Sequence, residues 1–134
     1  MPIRGGKITK VEAERLEAND IKNLEFNFNI EELRQEKKIL VLPYTTTINY
    51  NPLVARIIVK GEVFFEDEER KNKDTIAYFK ENKRLPAEMA DDVLTAINFS
   101  STAVATLAAF AIGVNAPLNL PKARVAEPQA PSAG

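Results

Sequence analysis

The sequence predicts an α+β fold, an antiparallel sheet followed by helices packed on one of its faces. Two observations lead there. Apolar residues alternate with polar ones through most of residues 24–65 and then recur at helical spacing from about Ile76 onward. Strands therefore come first and helices second, an order that suits helices gathered on one side of an antiparallel sheet. Charge follows the same division, since only Lys122, Arg124 and Glu127 lie beyond Asp92. At 134 residues with 45% hydrophobic content, the chain fits one domain with a core of its own.

MPIRGGK (1–7) reads as a flexible end. Residues 8–18 mix apolar and charged side chains and read as an edge strand, although VEAERLEA also suits a short helix. Leu24, Phe26, Phe28 and Ile30 alternate with Glu25, Asn27 and Asn29, a strand with one wet face. EELRQEKK (31–38) is a charged connection, either a wide turn or a brief helical excursion. In ILVLPYTTTINY the even positions from Leu40 to Tyr50 form one face. Pro43 lacks an amide donor, which predicts an edge or a bulge there. Asn51-Pro52 marks a turn. The next strand places Ala55, Ile57, Val59, Gly61, Val63 and Phe65 on one face, so the two strands form an antiparallel hairpin. EDEERKNK (66–73) reads as a solvated turn. Asp74 is a candidate N-cap for a short helix carrying Ile76 and Phe79. Pro86 suits the first turn of a second helix, which Gly113 ends. About 25 residues make that helix roughly 38 Å long. One domain thus spans 8–125, and AEPQAPSAG (126–134) has the composition of a disordered tail.

The second helix carries no charge from Val93 onward. A surface helix of a monomer shows one polar face, and here only Ser, Thr and Asn relieve the apolar surface. Three arrangements account for it. The helix can cross a bilayer, since its length fits, but it lacks a basic cluster at its end and a Trp or Tyr belt. It can be buried wholly within a monomer, which a small core makes difficult. Or it lies between subunits, one face on its own sheet and the other on a symmetry mate, with Phe99, Val104, Leu107 and Phe110 as interface candidates. The last covers both faces without lipid. After Gly113, NAPLNLPKARV forms an extended strap whose Pro117 and Pro121 stiffen the backbone, with Leu118 and Leu120 on one side. The strap either closes the core or borders a groove for an extended apolar peptide.

APLNLPKARV resembles the proline- and leucine-rich segment that follows the long helix in the SecB family of export chaperones. Pro117, Leu118, Asn119, Leu120 and Val125 carry the match, with the second proline shifted to Pro121. VARIIVKGEVFFED resembles that family's third-strand region, with Gly61 ahead of Phe64 and Phe65. The resemblance runs over roughly residues 8–125. It implies a homotetramer built as a dimer of dimers, which holds unfolded chains in apolar grooves without ATP. The family's acidic sheet surface and motor-binding tail have no counterpart, because Arg56 and Lys60 mix with Glu62 and Glu66.

The chemistry-bearing residues give no reaction. Cysteine and histidine are both absent, which removes thiol nucleophiles, zinc sites of the usual kind and the easiest general base. Glycine-rich phosphate loops are missing. Asp91 and Asp92 are adjacent and diverge by about 100° on a helix. No cofactor and no metal are expected. Lys71, Lys73, Lys80, Lys83 and Arg84 lie near Tyr78 and Phe79, but Glu68, Glu69, Asp74 and Glu81 cancel most of their field, so nucleic acid is not expected. The expected function is ATP-independent, chaperone-like holding of unfolded or partly folded proteins by a dimer or tetramer. Tyr44, Ile48, Tyr50, Leu118 and Leu120 are the candidate groove residues. The chain opens without a signal peptide, so the expected location is cytoplasmic. The alternative is a non-catalytic assembly subunit that docks its apolar helix on a dedicated protein or membrane partner.

Overall fold

The computed structural model describes residues 3–117. Five strands come first: β1 (Ile3–Arg15), β2 (Asn23–Ile30), β3 (Arg34–Glu36), β4 (Ile39–Asn51) and β5 (Ala55–Glu66). Two helices follow, α1 (Glu69–Asn82) and α2 (Ala87–Ala111). All strand pairs are antiparallel. The order across the sheet is β1-β5-β4-β2, and β3 pairs with the start of β4 beside β2. This is the expected α+β arrangement.

The short helix that VEAERLEA also suits does not form, and strand β1 begins within residues read as a loose end and continues through the expected edge strand. Its residues pair with β5 from Ile3↔Phe65 to Arg15↔Ala55, and that ladder overrides local helix propensity. The charged 31–38 connection contains β3. Pro43 is not at an edge, because β4 is an interior strand. It falls between the end of β2, paired at Ile30↔Tyr44, and the start of β3, paired at Arg34↔Val41. Glu31 donates its N–H to the Pro43 carbonyl at 2.9 Å. The donor that proline lacks is thus missing where no full strand stands opposite.

The β4–β5 hairpin has the expected facing pattern. Leu40, Leu42, Tyr44, Ile48 and Tyr50 lie buried beside Ile57, Val59, Val63 and Phe65. Gly61 is required opposite Tyr44, since a Cβ there would stand 2.5 Å from the phenol oxygen. Helix α1 starts five residues before the expected cap at Asp74. Asn72 is fully buried, and its Nδ2 donates to the Asp67 carbonyl at 3.3 Å. Gln35 Nε2 donates to the Glu69 carbonyl at 2.9 Å. The local Asn72 bond and the long-range Gln35 bond together hold part of the charged run as helix.

Helix α2 presents Met89, Val93, Ile97, Ser101, Ala105 and Ala109 to the sheet, all buried and four apart. It ends in a Schellman motif. Gly113, at φ 75°, donates to Phe110, and Val114 donates to Ala109 at 2.9 Å. Arg15 Nη1 reaches from β1 to the carbonyls of Ile112 (3.1 Å) and Gly113 (2.9 Å). It places a cation at the negative end of a helix whose own last turn has none.

The core has two lobes. One joins Leu40, Leu42 and Phe65 to Met89, Val93 and Ile97. The other joins Ile48, Tyr50 and Ile57 to Ala105, Ala109 and Val114. Between them lies a buried hydrogen bond, Thr46 Oγ1 to Ser101 Oγ, at 2.8 Å.

Candidate functional site

The even residues of β2 turn toward the helices, but α1 and α2 do not close over them. Leu24, Phe26, Phe28 and Ile30 are therefore only half-buried. The gap is a cleft of about 590 Å³ between β2 and the α1–α2 corner. Phe28, Ile30, Phe79, Leu85 and Leu94 give it apolar walls. A narrower cleft of about 280 Å³ adjoins it and shares Ile30, Phe79 and Lys83.

Among the described residues one wall is a free strand edge, since β2 ends the sheet. The Glu31-to-Pro43 bond fixes the phase of the β2–β4 ladder. Odd residues bond to β4, so Leu24, Phe26, Phe28 and Ile30 turn their N–H and C=O groups outward. An extended chain can pair with these groups while its side chains enter the cleft.

The α1–α2 corner supplies charge. Lys83 and Arg84 line the wide cleft. Lys80 lines the narrow one, opposite Glu31 and Glu32. Among the described residues none of the three cations is ion-paired. Lys83 closes α1 in the left-handed conformation, φ 59°, with its N–H bonded to the Phe79 carbonyl at 2.8 Å. Leu85, buried behind it, and Pro86, which caps α2, hold the corner in place.

Of the residues expected to line a groove, the three that are described, Tyr44, Ile48 and Tyr50, are buried away from this cleft. Ile48 and Tyr50 are sealed under α2 by the second lobe of the core. Tyr50 donates its hydroxyl to the Asn115 carbonyl at 2.6 Å, and burial pushes its phenol up to about 12. Tyr44 is also buried, and burial raises its pKa against a smaller lowering by a hydrogen bond with Ser101. It reaches only the floor of a third cleft, about 400 Å³, between β1 and α2. The even face of β4 is the floor of the core, so these side chains do not meet solvent. Leu118 and Leu120 lie outside the described residues, as do Asn119, Pro121, Val125 and the 126–134 tail. Sequence reasoning missed the β2 cleft. Its one signal was the alternation of Leu24, Phe26, Phe28 and Ile30, which marks a covered face but not how far the cover extends.

Three of the interface candidates, Phe99, Leu107 and Phe110, stand on the far side of α2, and Val104 packs partly against the second lobe of the core. Phe99 is 76% exposed, Leu107 72% and Phe110 64%, while Val104 is half-buried. By length and composition α2 also suffices to cross a bilayer. In this fold, one side of it packs on the sheet.

The chain matches the solved SecB-like chaperone Rv1957 of Mycobacterium tuberculosis with a TM-score of 0.60. The match covers 90% of this chain and 87% of that one at 14% identity. The fold is SecB-like. The Rv1957 structure is a complex with a ChAD peptide from the Rv1956 HigA1 antitoxin. No family model and no curated protein matches the sequence. The SecB-like fold explains the order of elements here, with the sheet first and the long helix laid across it. The β2 cleft and the uncovered side of α2 are then two separate surfaces on one scaffold.

Proposed function

We propose that this chain is an ATP-independent, oligomeric, chaperone-like protein of the cytoplasm. It holds extended apolar segments of unfolded or partly folded proteins along β2. The observation that carries this reading is the aromatic cleft beside an unpaired strand edge. Such a site takes main-chain hydrogen bonds from any sequence and apolar side chains of many shapes. Burying two or three side chains supplies about 1.5–3 kcal/mol each before ordering costs. That gives weak, promiscuous holding that needs no chemical step. The exposed side of α2 serves a different purpose in this reading, packing against a second copy.

The test is suppression of aggregation of two unrelated unfolded proteins by the wild type and by Phe28→Asp and Leu94→Asp. Both variants are expected to keep the wild-type circular dichroism and lose most of the protection. Full protection by both folded variants would remove the cleft from the function. The second reading, an assembly subunit, draws on the same uncovered side of α2. It predicts no protection of either protein and tight binding of one dedicated partner.

A further inference from the structure

The wide cleft has apolar walls, and both of its charged lining residues are cations, Lys83 and Arg84. We propose that it selects apolar segments with an acidic side chain beside the apolar residues, the carboxylate resting between Lys83 and Arg84. This rests on the holding function proposed above and adds a preference to it.

Three observations carry the proposal. The first is the sign of the charge. Acidic side chains Glu31 and Glu32 line the narrow cleft together with Lys80 and Lys83 and do not line the wide one. Glu31 is further engaged there, accepting the Thr45 hydroxyl at 2.6 Å. The second is availability, since neither Lys83 nor Arg84 has an ion-pair partner among the described residues. The third is placement. The left-handed turn at Lys83 and the buried Leu85 fix both backbone roots at the cleft's rim. Two cations on a fixed corner pair with a carboxylate at less cost in ordering than two on a mobile loop. They raise the on-rate for acidic segments and disfavour basic ones.

A nucleic acid fits the corner less well. A phosphate backbone needs a row of cations at regular intervals. Beyond this pair, the surface turns acidic at Asp74 and Glu88, which line the next depression.

Three fluorescent peptides with one apolar core, flanked by Asp, Asn or Lys, test the proposal by anisotropy with the full chain at low salt. The Asp-flanked peptide is expected to bind about tenfold more tightly than the Lys-flanked one, with the Asn form between. The gap should close in high salt. Arg84→Glu, at an exposed position, should narrow the gap, and Lys83→Glu with Arg84→Glu should invert it. The Asn-flanked peptide is the reference against which the two charged peptides are compared within each variant. If the double variant does not fold, the single one decides. Equal affinity for all three peptides overturns the charge preference and leaves the holding function standing. No binding of any peptide overturns both. Displacement of the peptides by a single-stranded oligonucleotide at lower concentration overturns the preference in favour of a phosphate ligand.

Discussion

Thr46 and Ser101 are each other's hydrogen-bond partner in a place where water does not reach. Ser101 also bonds the Tyr44 phenol, so the two hydroxyls are not equivalent. Removing that of Ser101 leaves Thr46 buried without its partner, which costs about 1–3 kcal/mol. Removing the Thr46 hydroxyl as well takes that orphan away. Urea unfolding should therefore show Thr46→Val with Ser101→Ala losing less than Ser101→Ala alone. Simple additivity would mean the two hydroxyls act independently. Tyr50 makes a different prediction. Its phenol is pushed up to about 12 by burial, from an ordinary value near 10. The folded chain then holds this proton more tightly than the unfolded chain does. The stability it contributes is complete below pH 10 and is lost as pH rises through 12. Tyr44, also raised by burial, adds in the same direction. Thermal melts of Tyr50→Phe across that window should fall less steeply than those of the wild type. Parallel curves would mean Tyr50 does not drive the alkaline loss.

Helix α2 is apolar on two sides, and among the described residues only one side has a partner within the chain. Phe99→Glu with Leu107→Glu should convert a dimer or tetramer to monomer by light scattering and leave circular dichroism unchanged. A wild type that is already monomeric would dissociate this surface from assembly. The limits of α2 were legible in the sequence because proline and glycine mark them locally. The facing of β4 and β5 was legible because alternation is a local property too. Pro43 misled because strand order is not local. A proline suits an interior strand when the neighbouring strand stops beside it, and no pattern within 39–50 reveals where β2 stops. Likewise, the true start of α1 depends on Gln35, from β3, reaching the Glu69 carbonyl. That bond exists only after the sheet and helix have met. The burial of three groove candidates has the same origin. Tyr44, Ile48 and Tyr50 belong to a correctly assigned strand face, but which face the helices cover is decided by residues far along the chain.

Across the whole molecule, the proposed function uses two surfaces, uncovered among the described residues, that the same sheet holds apart. The cleft opens beside β2 at one edge, and β1 forms the other edge, next to the third cleft. A chain held at β2 need not displace whatever packs on the exposed side of α2. Arg15 ties the first strand to the end of the last helix across 97 and 98 positions of sequence. A contact so distant in sequence closes a very large loop, and it has little to gain until the sheet and helix between are in place. It should therefore be absent from the folding transition state. Stopped-flow mixing of Arg15→Ala should show a folding rate close to that of the wild type. Its unfolding should be about fivefold faster, the whole of roughly 1 kcal/mol appearing on that side of the barrier. The guanidinium clasp then acts as a latch on lifetime: it leaves the speed of assembly alone and lengthens the time the finished molecule stays shut.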